Sequence, residues 1–417
     1  MDAPVVLRRL FDAAVAACHP ARVVPAALPV RPAGRVVVVG AGKASAAMAA
    51  AAEGTWGPPL SGLVVTRYGH GVATKHREVV EAGHPLPDSA GADAARRALQ
   101  LVSRLTADDF VLVLLSGGGS ALWSAPPPPL MLAEKQAVTR ALVLSSASIQ
   151  EINCVRKHLS AIKGGRLAVA AHPARVLALA ISDVAGDDAS VIASGPCVGD
   201  ATTQSDARAI LAKYAIDVPA NAAHVLTTPA FESVRPDDLR LSSSSCQIIA
   251  RAADALAAAA DEANALVLDT KLIGVNTEGD ARQVARAHAE IALHMPRGPR
   301  PMVLLSGGEL TLQVKGRGQG GPNREYLLAL AQALNGCEDI WALAADTDGI
   351  DGSDDTAGAW IGPDTLARAR ALRLDATAYA ADNDAGGFFA ALTQAVVTGP
   401  TRTNVNDFRA ILIGAAR

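Results

Sequence analysis

The chain has 417 residues, half of them hydrophobic but only 3% aromatic, with a formal net charge of -3. A single core stops growing at about 250 to 300 residues, so two domains are expected. A core of Ala, Val, Leu and Ile suits sheets covered by helices on both faces, which makes the class α/β. No block of like charge exists to draw nucleic acid or an anionic membrane. No apolar run approaches the roughly 18 residues of a membrane span, and Asp261 and Glu262 interrupt the alanine-rich stretch around 255–268.

At the N-terminus, apolar positions repeat at helical spacing with Arg8 and Arg9 among them, which reads as a packed helix rather than a signal peptide. The five cysteines, Cys18, Cys154, Cys197, Cys246 and Cys337, are scattered and form no CxxC pair. Neither a disulfide framework nor a zinc site is indicated, and a cytoplasmic, reducing location is expected.

Five β-branched or leucine-rich runs each stop abruptly at Gly, Ser or Asp before a helix-forming stretch: RVVVVGAGKAS (35–45), FVLVLLSGGGS (110–120), RVLALAISDVAGDD (175–188), MVLLSGGEL (302–310) and IWALAADTDGIDG (340–352). That alternation predicts parallel strands joined by crossover helices. Ligands of open parallel sheets bind beyond the carboxyl ends of the strands, so the polar tails are where chemistry is expected. The hexapeptide VLLSGG occurs at 113–118 and again at 303–308, as if each half presented a similar loop. A pattern-poor stretch with Pro229, Pro236 and Ser242 to Ser245 places the boundary near 238, giving domains 1–238 and 239–417.

GAGKAS (Gly40 to Ser45) opens a helix after a strand, where free amides and the helix dipole suit an anion. Gly42 and Lys43 are candidates to bind it. A dinucleotide fingerprint would need a third glycine where Ser45 stands, and no acidic residue follows the next strand, although Arg67 leaves a 2′-phosphate open. In SGGGS, Ser116, Gly117, Gly118, Gly119 and Ser120 combine close-approaching backbone with hydroxyl donors, yet the spacing is not that of a Walker A loop. Asn153 to Ala168 concentrates Arg156, Lys157, His158, Lys163 and Arg166 around the glycine pair Gly164–Gly165, cations that could neutralise a carboxylate or phosphates. Two carboxylate clusters, Asp183, Asp187 and Asp188, then Asp346, Asp348, Asp351, Asp354 and Asp355, offer hard oxygen ligands that suit magnesium. The second is no EF-hand, because Ile350 and Asp351 stand where an oxygen ligand and a glycine are required.

Taken together, GAGKAS, EAGHPLPD (81–88), SGGGSAL, NCVRKHLSAIKGGRLA, SDVAGDD, ASGP (193–196), SGGEL, KGRGQGGPNREYLLA (315–329), DTDGIDG and TNVNDF (403–408) resemble the class II glycerate kinases, whose second half is called the MOFRL domain. The resemblance implies a Rossmann-like N-terminal α/β domain, a smaller MOFRL-type C-terminal α/β domain and an active site in the cleft between them. It also implies ATP and Mg2+ as cofactors and D-glycerate as the substrate converted to 2-phosphoglycerate. Lys43 matches the family's lysine at its substrate or phosphate site, and Glu309 of SGGEL and Asn323 fall on its binding motifs. Many members read GGRNQE where this chain has Gly320, Gly321, Pro322, Asn323, Arg324 and Glu325, so Arg324 stands two positions beyond the family's arginine.

The expected mechanism is in-line attack of the 2-hydroxyl on the γ-phosphoryl, driven by positioning and charge neutralisation. Lys43, Asp183, Asp187 and Arg324 are the expected catalytic residues, with Asp346, Asp348 and Asp351 at the metal. Two rivals stand beside it: an NADPH-dependent hydroxypyruvate reductase, and a non-catalytic sensor of glycerate or phosphosugars. A homodimer is expected only because closed dimers are the commonest assemblies.

Overall fold

The computed structural model describes residues 2–415 apart from His76 and Ser353. Its strands in chain order are β1 (Val36–Ala41), β2 (Ser61–Arg67), β3 (Glu78–Ala82), β4 (Phe110–Leu115), β5 (Arg175–Ile181), β6 (Ser244–Ala250), β7 (Asp269–Gly274), β8 (Gly279–Asp280), β9 (Met302–Gly308), β10 (Leu310–Thr311), β11 (Ile340–Asp346), β12 (Gly358–Ile361), β13 (Ala395–Val396) and β14 (Asp407–Ile413). Two compact units result: Pro20–Ile249, and Met1–His19 together with Ala250–Arg417.

In the unit Pro20–Ile249 the strand order is β3-β2-β1-β4-β5-β6, with parallel pairing from β3 through β5. This is the order of dinucleotide-binding folds, whose ligand crevice opens where the order reverses, between β1 and β4. Both strands are buried along their whole length, as unbroken runs of Val and Leu require when helices cover both faces. One face packs Val37, Val39, Val111 and Val113 against Ala94, Ala95 and Ala98 of the helix Ser89–Val102. Apart from the sheet, the helices Leu132–Leu144, Ile149–His158, Gln204–Lys213 and Ala220–Thr227 form their own apolar cluster around Val138, Leu142, Val155, Leu211 and Val225.

The other unit holds a mixed sheet, β13-β12-β11-β14-β9-β7. Here the expectation of a parallel sheet is corrected. β9 and β11 do run in the same direction, but β14 lies between them and is antiparallel to both. The final strand DFRAILI is buried at all seven positions, so it takes a central place although it comes last in the chain. The repeated hexapeptide is corrected likewise. After β4 the chain turns at Ser116, whereas in β9 all of VLLSGG stays in the strand.

The division also departs from a cut at 238/239. Ser244–Ala250 completes the first sheet as β6. The helix Ala3–Ala17 packs with the second sheet, burying Leu7, Leu10, Phe11 and Ala14, and its Phe11 ring meets Phe408 of β14 edge-on at 5.8 Å.

Candidate functional site

At the carboxyl end of β1 the backbone passes through Gly42 at φ +144, and a Cβ there would lie 2.1 Å from the Ser116 hydroxyl. Only glycine lets the β1 turn approach the β4 turn this closely. The two turns are then tied together. The Lys43 amide donates to the Gly117 carbonyl at 2.8 Å, and the Ala44 amide donates to Ser116 Oγ at 2.9 Å. Ser116, expected to touch a ligand, is fully buried and its hydroxyl accepts the bond that ties the two turns.

Gly118 follows at φ +82. A Cβ on it would lie 3.0 Å from the His84 ring and 3.4 Å from Lys43 Cγ, so both side chains flank this one glycine. Lys43 is only half-buried. His84 stands just after β3, in a motif that was legible as EAGHPLPD but gave no reason to single the histidine out. Ser120 bonds Ser194 hydroxyl to hydroxyl at 2.7 Å. Ala193 and Ser194 are left-handed non-glycine residues (φ +50 and +61), an uncommon and costly backbone state of the kind that gathers at functional sites. Gly164 and Gly165 hold that turn in place: their amides donate to the Ser194 and Gly195 carbonyls at 3.1 and 2.8 Å. This bonding ties the glycine pair, expected to contact a ligand, to the strained turn.

The basic cluster separates on folding. Lys157 pairs with buried Asp200 at 2.5 Å, and Arg166 donates to the carbonyls of Lys157, Lys163 and Phe231, so both serve the scaffold. Arg156 and Lys163 instead line a cavity of about 240 Å³ beside the SGGGS turn. Burial pushes Lys163 well below the usual lysine range, with Lys135 and Arg156 adding like-charge repulsion. Asp183 and Asp187 lie partly buried after β5, the strand next to β4, and a turn closes from the Asp187 amide onto the Val184 carbonyl.

In the other unit the motifs expected at a metal gather at one end of the mixed sheet, where Asp348 and Asp351 are buried, Asp346 and Asp354 are partly buried and Asp355 is exposed. Asp351 Oδ1 accepts from the Asn323 amide at 3.0 Å, and its Oδ2 accepts from the Arg324 amide at 3.1 Å and from Arg324 Nε at 3.0 Å. It therefore caps the helix Pro322–Leu334, whose leading amides attract negative charge. Burial pushes Asp351 up to about 6, against the pull of Arg324 and the helix amide, which leaves it ionised at neutral pH. Arg324 is 2% exposed and also holds Asp354 at 2.8 Å. Asp351, expected at a metal, and Arg324, expected in catalysis, thus form a buried ion pair in which each neutralises the other. Asn323 is buried as well, donating to Asp407 Oδ1 at 2.6 Å. Asp346 accepts from the Asp348 amide, and Asp348 from the Ile350 amide, as an acidic turn does. Among the described residues no three His, Cys, Asp or Glu side chains are grouped to hold a metal. Glu309 is exposed between β9 and β10.

Residues 6–227 match the model of a domain of unknown function, DUF4147, and residues 302–407 match the MOFRL family. An Agrobacterium vitis protein, provisionally named a hydroxypyruvate reductase, is 49% identical over 99% of this chain and 95% of its own. A D-glycerate 2-kinase of Thermotoga maritima is 38% identical over 94% of each chain. The crystal structure of a Thermotoga maritima glycerate kinase superposes with a TM-score of 0.88 at 37% identity, covering 98% of this chain and 99% of that one. Full-length likeness to these kinases, in sequence and in fold, places the chain in the class II glycerate kinase family.

Proposed function

We propose that the protein is a glycerate 2-kinase, transferring the γ-phosphoryl of ATP to the 2-hydroxyl of D-glycerate. The observation that carries this reading is that Lys43 and His84 both flank Gly118, beside the crevice between β1 and β4. A lysine and an imidazole beside close-approaching glycine backbone suit an anionic ligand that gains charge during reaction.

In the step itself the 2-hydroxyl oxygen forms the new bond to γ-phosphorus while the bond to the β,γ-bridging oxygen breaks, and ADP leaves. Asp183 or Asp187 orients the hydroxyl and receives its proton. Lys43 holds the transferring group, so the protein contributes position and charge. Mg2+ would arrive with the nucleotide and neutralise phosphate charge. Its usual ligand set is one or two carboxylates, with water and phosphate oxygens completing the shell, and Asp346 and Asp348 are the carboxylates put forward for it.

Hydride transfer from NADPH is less well supported. The Ser45 hydroxyl, at the third position of the glycine fingerprint, donates to the Gly42 and Val65 carbonyls at 2.9 and 2.6 Å. It thereby fills the place where the fingerprint's glycine lets helix and strand close up. The reading is tested by ADP release with D-glycerate, ATP and Mg2+ from the wild type and Lys43→Ala. Turnover should fall on the order of a hundredfold or more, as when other electrostatic stabilisers are removed. Near wild-type turnover in the variant would remove Lys43 from the mechanism.

A further inference from the structure

The cavity beside the SGGGS turn has a feature that packing alone does not account for. In the helix Leu132–Leu144 the buried positions are Lys135, Val138 and Leu142, spaced as one inward-facing stripe. An ammonium group thus occupies a place where the helix buries leucine and valine. Lys135 is 4% exposed, and its Nζ has no hydrogen-bond partner among the described residues. Around it, the cavity is lined by Arg156, Lys163 and Ser120, while Pro85, Leu86 and Leu144 supply apolar wall.

Charged groups reach this space from several elements, and all are cations. Arg156 and Arg166 both act on Lys135, and Arg140 stands on its own helix among the lining residues. Glu134, its neighbour in sequence, is turned to the Met131 amide and to Asn221. No carboxylate pairs with Lys135, Arg156 or Lys163 among the described residues; Lys163 reaches only the Ala193 carbonyl, at 3.4 Å. Two buried lysines and a partly buried arginine without a counter-ion repel one another, and an arrangement of that kind persists where a bound anion supplies the missing charge.

We propose that this cavity is a binding site for a compact oxyanion, a carboxylate or phosphate group, with Lys135, Arg156 and Lys163 as its cationic wall. About 240 Å³ accommodates a small acid or a single phosphate group with water and excludes a whole nucleotide. Burial and the neighbouring arginines push Lys135 down to about 7. Burial lowers Lys163 as well, so the site is more strongly cationic below neutrality and sheds charge above it, and affinity for an anion of fixed charge such as glycerate falls as pH rises from 6 to 9. Binding here does not depend on the phosphoryl-transfer reading, although a carboxylate held beside Ser120 would put glycerate next to that turn.

The test is calorimetric titration of the full-length protein with D-glycerate and, separately, with inorganic phosphate, at pH 6 and pH 9. Wild type, Lys135→Met and Arg156→Gln are compared, the second variant serving if the first fails to fold. At least one anion should bind the wild type at pH 6, and each variant should weaken it on the order of tenfold or more, the value of a hydrogen bond to a charged group. Lys135→Met should also weaken the pH dependence for glycerate, with Lys163, itself pushed down by burial, accounting for what remains. Glycerate as the tighter ligand identifies a carboxylate site, and phosphate identifies a phosphoryl site. If neither anion binds the wild type, or the variants bind as it does, the proposal is overturned. Binding retained by a protein that releases no ADP would instead sink the kinase reading and leave this site standing.

Discussion

Replacing Lys135 by methionine is expected to make the unliganded protein more stable, and the gain should depend on pH. Methionine matches the length of the lysine stem and fills irregular apolar space. What it removes is an ammonium group whose pKa drops from its usual 10.5 to about 7. Between those values the unfolded chain holds a proton that the folded chain has released, so wild-type stability rises with pH across that window. The penalty is complete below about pH 7, where it is on the order of 5 kcal/mol. By pH 9 it has shrunk to about 2 kcal/mol. Urea unfolding of both proteins at pH 6 and pH 9, followed by circular dichroism, should give a higher midpoint for the variant at both values and a wider gap at pH 6. A variant no more stable than wild type at pH 6, or a gap that does not narrow at pH 9, would refute the claim that this lysine is buried without a partner.

Three further outcomes follow from the packing and the turns. Arg324→Met should cost about 3 to 5 kcal/mol in chemical denaturation, because it strands buried Asp351 without its cation, while glycerate KM of the folded protein stays near wild type. A raised KM without a stability loss would return Arg324 to the ligand. Phe11→Ala should destabilise by about 3 to 5 kcal/mol, a core penalty for a residue far from its partners in sequence; an unchanged unfolding midpoint would detach the N-terminal helix from the Ala250–Arg417 unit. Gly42→Ala should abolish turnover, since its Cβ would press on the Ser116 hydroxyl and carbonyl and displace Lys43; retained activity would show that the two turns need not meet.

Several of these features were legible beforehand. Glycine-terminated strands announce a parallel sheet because they leave little choice of turn, and GAGKAS and SGGGS do fall side by side at β1 and β4. The cations of 153–168 could not be sorted from sequence. Lys157 and Arg166 become scaffold and Arg156 and Lys163 line a cavity according to the positions of Asp200 and Phe231, tens of residues away. The carboxylates could not be sorted for a related reason: an aspartate after a strand caps a helix as readily as it binds a cation, and Asp351 lies against the start of the helix at Pro322. Lys135 did carry a local signal, a lysine at an apolar stripe position, but snorkelling lysines are common enough to mask it. The placement of β14 between β9 and β11 had none, because burial on both faces does not say which strands will be neighbours.

The most direct test of the central claim follows the phosphorus itself. Purified protein is incubated with D-glycerate, ATP and Mg2+, the products are resolved by phosphorus NMR, and a parallel reaction monitors NADPH with hydroxypyruvate. The account predicts 2-phosphoglycerate and ADP in equal amounts, formed only when glycerate is present, with NADPH unconsumed. NADPH oxidation without any phosphoglycerate signal would contradict it.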